Sequence, residues 1–178
     1  PDGKILIATS ETSNMAHFID TSTYEIVDNV LVGSRPRFAE FTADGSQLWV
    51  TSEVAGTVSI IDAKTRKIIK TIGFEIPGVQ AENMQPVGVR ILKDGSKAFV
   101  ALGPANHIAV IDAKKLEIER YLLVGQRVWQ LALTPDDRLL FVTNGNSNDV
   151  SVIDVPSLKV VKSMPVGSAP WGVAISRQ

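Results

Sequence analysis

Three separate anchors recur along this chain at one set of intervals, and that repetition limits the fold more than any local pattern does. Ile7-Ala8-Thr9-Ser10 returns as Trp49-Val50-Thr51-Ser52, Phe99-Val100-Ala101-Leu102 and Phe141-Val142-Thr143-Asn144, at spacings of 42, 50 and 42 residues. The pairs Ile19-Asp20, Ile61-Asp62, Ile111-Asp112 and Ile153-Asp154 keep those spacings, as do the turns Asp2-Gly3, Asp44-Gly45, Asp94-Gly95 and Asp136-Asp137. A fixed period of this length means stacked copies of one supersecondary unit, each burying its apolar surface only against its neighbours.

Inside a unit, short runs rich in Val, Ile and aromatic residues are separated by Gly, Asn, Asp and Pro, which is strand and turn chemistry. In the last complete unit strand A covers Trp129 to Thr134, strand B Leu139 to Thr143, strand C Val150 to Ile153 and strand D Lys159 to about Met164. Four antiparallel strands in about 42 residues make one propeller blade. The fold class is therefore all-β, a β-propeller of four-stranded antiparallel blades, with about four blades in this chain and the expectation that they form part of a larger ring. The loop from B to C has five residues in every unit, and the Asp closing each strand C is expected to lock an Asx turn.

Residues 1–178 read as one propeller segment, with repeats at about 1–33, 36–73, 86–125 and 128–167 and a last strand A at 170–176. The 50-residue interval marks an insertion, Phe74 to Gln85, where the other units have the two-residue D to A links Ser34-Arg35, Gln126-Arg127 and Ser168-Ala169. One copy carrying an insertion makes it a candidate functional loop. The chain opens at an A to B turn and closes with a strand A, so its two ends are complementary. A four-bladed ring, a homodimer closing an eight-bladed ring and the C-terminal part of a longer chain all satisfy that phase, and the absent initiator Met favours the last.

Composition excludes several functions. Lys+Arg total 18 against 19 Asp+Glu, a net charge of −1, so no basic footprint for nucleic acid exists. Apolar runs stop far short of the roughly 20 residues of a membrane span. With no Cys, disulfides, thiolate metal sites and Cys nucleophiles are excluded. His17 and His107 occupy different repeat positions and make no shared metal site. No Gly-x-Ser-x-Gly, His-Glu-x-x-His, Gly-x-Gly-x-x-Gly or phosphate loop occurs, so the expectation is no catalytic residue, no metal and no cofactor.

The chemistry that remains lies where strand A begins. Trp129 and Trp171 share one repeat position with Arg37 and Val87, and Arg35 and Arg127 lie two residues earlier. Strand A is innermost, so Arg35, Arg37, Arg127, Trp129 and Trp171 can form a cationic and aromatic rim at the channel mouth, suited to an acidic partner or an anionic quinone. The plainer reading makes the Trp residues core and the Arg residues solvated. Since D to A and B to C loops share one face of a propeller, Glu75, Asn83 and Asn146 are expected to join this face. Ala39, Phe41, Val89, Ile91, Leu131, Leu133, Val173 and Ile175 alternate as core, and Gly88 and Gly172 are expected where blades pack closely.

Phe141-Val142-Thr143-Asn144, preceded by Thr134-Pro135-Asp136 and followed by Val150-Ser151-Val152-Ile153-Asp154, resembles the YVTN family of propeller repeats with Phe for Tyr. Gln85-Pro86-Val87-Gly88-Val89, Ala98 to Asn106, Tyr121 to Leu131 and Asn144-Gly145 with Ser147 to Val150 further resemble the propeller proteins associated with pyrroloquinoline quinone (PQQ)-dependent catabolism. Those proteins are exported to the periplasm and are roughly twice this length. The resemblance implies a non-enzymatic interaction or accessory module in PQQ-linked alcohol oxidation, with a quinoprotein dehydrogenase or cytochrome c as protein partner. It supplies no catalytic residue. Two other readings stay open: a cofactor-binding or lactonase-like propeller enzyme using His17, Arg90 and Glu40, and a surface-layer or adhesion-type repeat module.

Overall fold

Strand B of each unit is apolar at nearly every position, as a strand must be when both its faces are covered. In the computed structural model, which describes residues 1–176, these strands belong to four antiparallel sheets, at the edge of the first and inside the other three. The first sheet holds β1 (Ile5–Ser10), β2 (Met15–Asp20) and β3 (Ile26–Leu31). The second runs β4 (Pro36–Phe41), β5 (Gln47–Ser52), β6 (Thr57–Asp62), β7 (Lys67–Gly73), and the third β8 (Pro86–Ile91), β9 (Lys97–Leu102), β10 (His107–Asp112), β11 (Glu117–Leu123). The fourth is β12 (Val128–Leu133), β13 (Leu139–Asn144), β14 (Asp149–Asp154) and β15 (Lys159–Pro165). This is propeller-blade architecture. Among the described residues no helix is long and apolar enough to cross a membrane.

Each pair of neighbouring sheets encloses its own apolar cluster. Phe18, Leu48, Val50 and Ile61 join the first sheet to the second. Trp49, Ile60, Val100 and Leu102 join the second to the third, and Phe99, Ile108, Leu131 and Leu140 the third to the fourth. Successive residues of β5 and β9 thus feed opposite interfaces, which is why those runs show no polar alternation. Val89, Ile91 and Leu131 are buried, while Ala39 and Phe41 pack half-buried against the first interface.

The repeated Asp residues are turn locks. Asp62 Oδ1 accepts the Thr65 amide at 2.7 Å, Asp112 Oδ1 those of Lys114 and Lys115 at 3.0 and 2.9 Å, and Asp20 Oδ1 that of Ser22 at 2.8 Å. Hydrogen bonds to the ionised form hold these carboxyls below the usual Asp value. The repeated Thr couples blades. Thr51 Oγ1 accepts the Phe38 amide of its own sheet at 3.1 Å and donates to the Val87 carbonyl of the next at 2.6 Å. Thr143 does the same with Gln130 and Trp171, at 3.0 and 2.9 Å.

Three details differ from the sequence reading. Residues 170–176 form no ladder, although the Thr143 bond seats Trp171 as the Thr51 bond seats Val87 between the second and third sheets. Gly88 has the close contacts expected of it, since a Cβ there would lie 2.9 Å from the Trp129 carbonyl, but Gly172 has nothing within 4 Å. The insertion is a packed element: Ile76 and Met84 are buried in the second interface, Phe74 and Val79 lean on it, and a short 3-10 turn spans Ala81–Asn83.

Candidate functional site

Backbone geometry sets the rim. Arg35 and Arg127 adopt φ of 57° and 58°, a left-handed conformation uncommon for non-glycine residues. Each is held by the Asn that ends a B to C loop: Asn14 Oδ1 accepts the Arg35 amide at 3.0 Å, and Asn106 Oδ1 the Arg127 amide at 2.8 Å. Asn148 binds the Ala169 amide in the same way at 2.8 Å. In the second unit that Asn is replaced by Gly56, where a Cβ would lie 3.0 Å from the Met84 carbonyl. The insertion has taken over the space and the job of the missing side chain.

The structure brings Arg35, Arg37, Arg127, Trp129 and Trp171 together, but not as a bare cationic rim. Glu53, 4% exposed, stands at the centre. Its carboxylate lies 3.4 Å from Arg35 Nε, 3.5 Å from Arg37 Nε and 3.4 Å from an Arg127 terminal nitrogen. Glu11, 47% exposed, adds contacts of 3.1 Å to Arg35 and 2.5 Å to Arg37. Three guanidiniums against two carboxylates leave a net charge of +1. Of the Arg residues read as solvated, Arg35 is half-exposed at 48%, while Arg37 and Arg127 keep 15% and 25%.

The aromatic half is continuous with the charged half. The Trp129 and Trp171 rings lie 4.2 Å apart between centroids, the Arg127 guanidinium is 4.3 Å from the Trp129 ring centre, and that of Arg37 is 5.4 Å from Trp171. Such contacts are favourable cation–π pairs beside a tilted aromatic pair. Gly145 is required beside them, because a Cβ there would fall 2.5 Å from the Trp129 indole nitrogen.

The loop holding Asn146 lies against the Arg127 link, with the Gly145 amide on the Arg127 carbonyl at 2.8 Å, but the side chains of Glu75, Asn83 and Asn146 show no bond to the Arg/Glu cluster among the described residues. Glu75 donates its amide to the Tyr121 hydroxyl on the outer strand β11 at 3.1 Å. Asn83 is bonded within the insertion, and the Asn146 amide reaches the Gln126 carbonyl at 3.0 Å while its side chain stays exposed. The insertion meets the rim through its last residue, Gln85, whose Oε1 accepts from Arg127 at 3.2 Å. Glu11, Glu53 and Gln85 are therefore the residues that sequence reading missed. The signal was available, since Glu11 and Glu53 are 42 apart and Gln85 occupies the repeat position of Arg35 and Arg127.

A second polar group lies toward the other end of strands β4 and β8. Arg90 donates to Glu40 Oε2 at 2.8 Å and sits 4.7 Å from the centre of the Phe38 ring, while Glu40 Oε1 accepts the Ile91 amide at 3.3 Å. Burial raises the Glu40 carboxyl above its usual value, opposed by the Arg90 charge. The pair opens into a cavity of about 900 Å³ shared with Lys93, Thr134, Asp137 and Val173. His17, grouped with them in the enzyme reading, is elsewhere: it stands on β2 with its Nδ1 2.5 Å from Asn29 Oδ1 of β3. Among the described residues no cluster of three or more His, Asp or Glu is placed to hold a metal ion.

No curated protein matches the chain. Among solved structures it is similar to hydrazine synthase of Kuenenia stuttgartiensis, at 28% identity and a TM-score of 0.81, covering 92% of this chain and 46% of that one. It is also similar in fold to a functionally unknown protein from Desulfotomaculum acetoxidans DSM 771, at 16% identity and a TM-score of 0.78, covering 94% of this chain and 54% of that one. The chain thus spans about half the length of these matched structures. A family model described as lactonase, 7-bladed beta-propeller, matches residues 20–159. With that match covering well over half of the chain, the chain belongs to the lactonase, seven-bladed β-propeller family.

Proposed function

We propose that this chain is part of a non-enzymatic propeller that binds an acidic protein partner through the Arg/Trp/Glu face, as an accessory module of periplasmic PQQ-dependent alcohol oxidation. The carrying observation is the meeting of two Arg and two Trp side chains: the Arg127 guanidinium lies over the Trp129 ring, that of Arg37 beside Trp171, and the two Trp rings pack at a tilt. Trp next to Arg is the composition of binding hot spots. The PQQ setting, the periplasmic location and the partner class, a quinoprotein dehydrogenase or cytochrome c, are supported by the sequence resemblance.

Reversing all three Arg charges would be a poor test, because it sets new carboxylates against the buried Glu53. Arg35→Gln and Trp171→Ala touch the exposed part of the face. Each is expected to weaken binding to the cytochrome c of the cognate alcohol-oxidation chain about tenfold, measured by surface plasmon resonance. Unchanged affinity in both variants would overturn the reading.

A lactonase-type activity is the second reading, favoured by the family match and by a desolvated Glu40 facing the channel cavity. If the ring opens lactones with Glu40 as general base, Glu40→Gln should lower kcat about 100-fold or more in a pH-stat assay. Retained kcat removes Glu40 from that role.

A further inference from the structure

The chain contains one Asn-Gly pair, Asn144-Gly145, where strand β13 runs into its loop. A glycine amide is the least hindered backbone nucleophile, since no side chain shields it. Its nitrogen can attack the asparagine Cγ: the N–Cγ bond forms, the Cγ–Nδ2 bond breaks, and ammonia leaves with the proton of the glycine amide. Water then opens the cyclic imide at either carbonyl, giving Asp or an isoaspartyl link. Solvent water is the only co-reactant.

The fold restrains both partners in this reaction. The Gly145 amide donates to the Arg127 carbonyl at 2.8 Å, and Asn144 Nδ2 donates to Ser151 Oγ at 2.9 Å. Asn144 has no exposed surface, and Gly145 is buried beside it. These contacts lie within the fourth blade, whose four strands are all present in the chain. A Cβ on Gly145 would fall 2.5 Å from the Trp129 indole nitrogen, so the rim itself keeps the reactive sequence in place.

The product does not fit where the amide sits. Asn144 Oδ1 is buried without a donor, so a carboxylate there adds a second oxygen and a charge with nothing to pair them. The residue opposite on β14 is Asp149, and like charges across a ladder repel. An isoaspartyl link also lengthens the backbone by one carbon within the β13–β14 ladder, shifting its register. We infer that Asn144-Gly145 is a gated deamidation site: the amide is lost only while the fourth blade is open, and the product keeps that blade from closing natively. The chain then carries a chemical record of its own opening, written at a rate set by the opened fraction.

The test follows the whole 178-residue chain in mildly alkaline buffer, with and without denaturing urea, by mass spectrometry of the tryptic fragment 139–159. That fragment also holds Asn146, followed by Ser in an exposed loop, as an internal comparison. Removing urea is expected to slow Asn144 by more than about tenfold, as it lowers the opened fraction, and to slow Asn146 far less. A smaller drop at Asn144, or an equal drop at Asn146, overturns the gate. The consequence is read on two variants. Asn144→Asp is expected to lower Tm by about 10 °C or more, or to leave the chain unfolded. Asn144→Ser, the residue of the equivalent Ser52, removes the amide without adding charge and should cost less than half as much. Native stability in Asn144→Asp, or an equal loss in Asn144→Ser, overturns the claim that the product holds the blade open.

Discussion

Glu53→Gln is expected to destabilise the chain by about 2–4 kcal/mol, somewhat less than the cost of breaking a wholly buried ion pair because the three Arg partners keep part of their hydration. Glutamine preserves shape but removes the only buried charge between Arg35, Arg37 and Arg127, whose own side chains keep 48%, 15% and 25% exposure. Their mutual repulsion, then opposed only by Glu11 at Arg35 and Arg37, acts across blades. Equilibrium urea denaturation reads the loss directly. Glu11→Gln, at the same repeat position but half in water, should change stability by under about 0.5 kcal/mol. A Glu53→Gln cost as small as that of Glu11→Gln would show that Glu53 does not organise the rim.

Trp49→Ala is expected to cost about 3–5 kcal/mol, the range for emptying a fully buried large aromatic site. Trp49 is wholly buried between the second and third sheets, and its indole nitrogen donates to Gln47 Oε1 at 3.0 Å. The side chain fills an interface that two rigid sheets cannot collapse around, so most of the cavity should persist. Phe141, its repeat equivalent on the fourth sheet, is only half-buried, and Phe141→Ala should cost about half as much. Thermal unfolding of the two variants side by side checks the ordering, and equal losses would contradict the interface account.

Much of the architecture was legible in the repeats. The strands, the five-residue loops and the Asx role of Asp20, Asp62, Asp112 and Asp154 depend on interactions within one unit, so residue type and spacing suffice to read them. Convergence of Arg35, Arg37, Arg127, Trp129 and Trp171 was legible for a related reason: equivalent repeat positions map to equivalent places around the axis. Their electrostatic state was not. Arg127 meets Glu53 from 74 residues away, and whether two such groups touch depends on the angle between blades and the depth of each loop.

The insertion shows the same boundary. Its length and place follow from the 50-residue interval, but that Ile76 and Met84 plug the second interface and that only Gln85 reaches the rim required coordinates. Sequence by itself determined the blade, because strand pairing and turn locking are local and repeat with the chain. Tertiary structure alone decided which charges are neutralised and which stay available. Coulomb interactions and desolvation follow distance and burial across blades, and neither quantity is written in sequence separation.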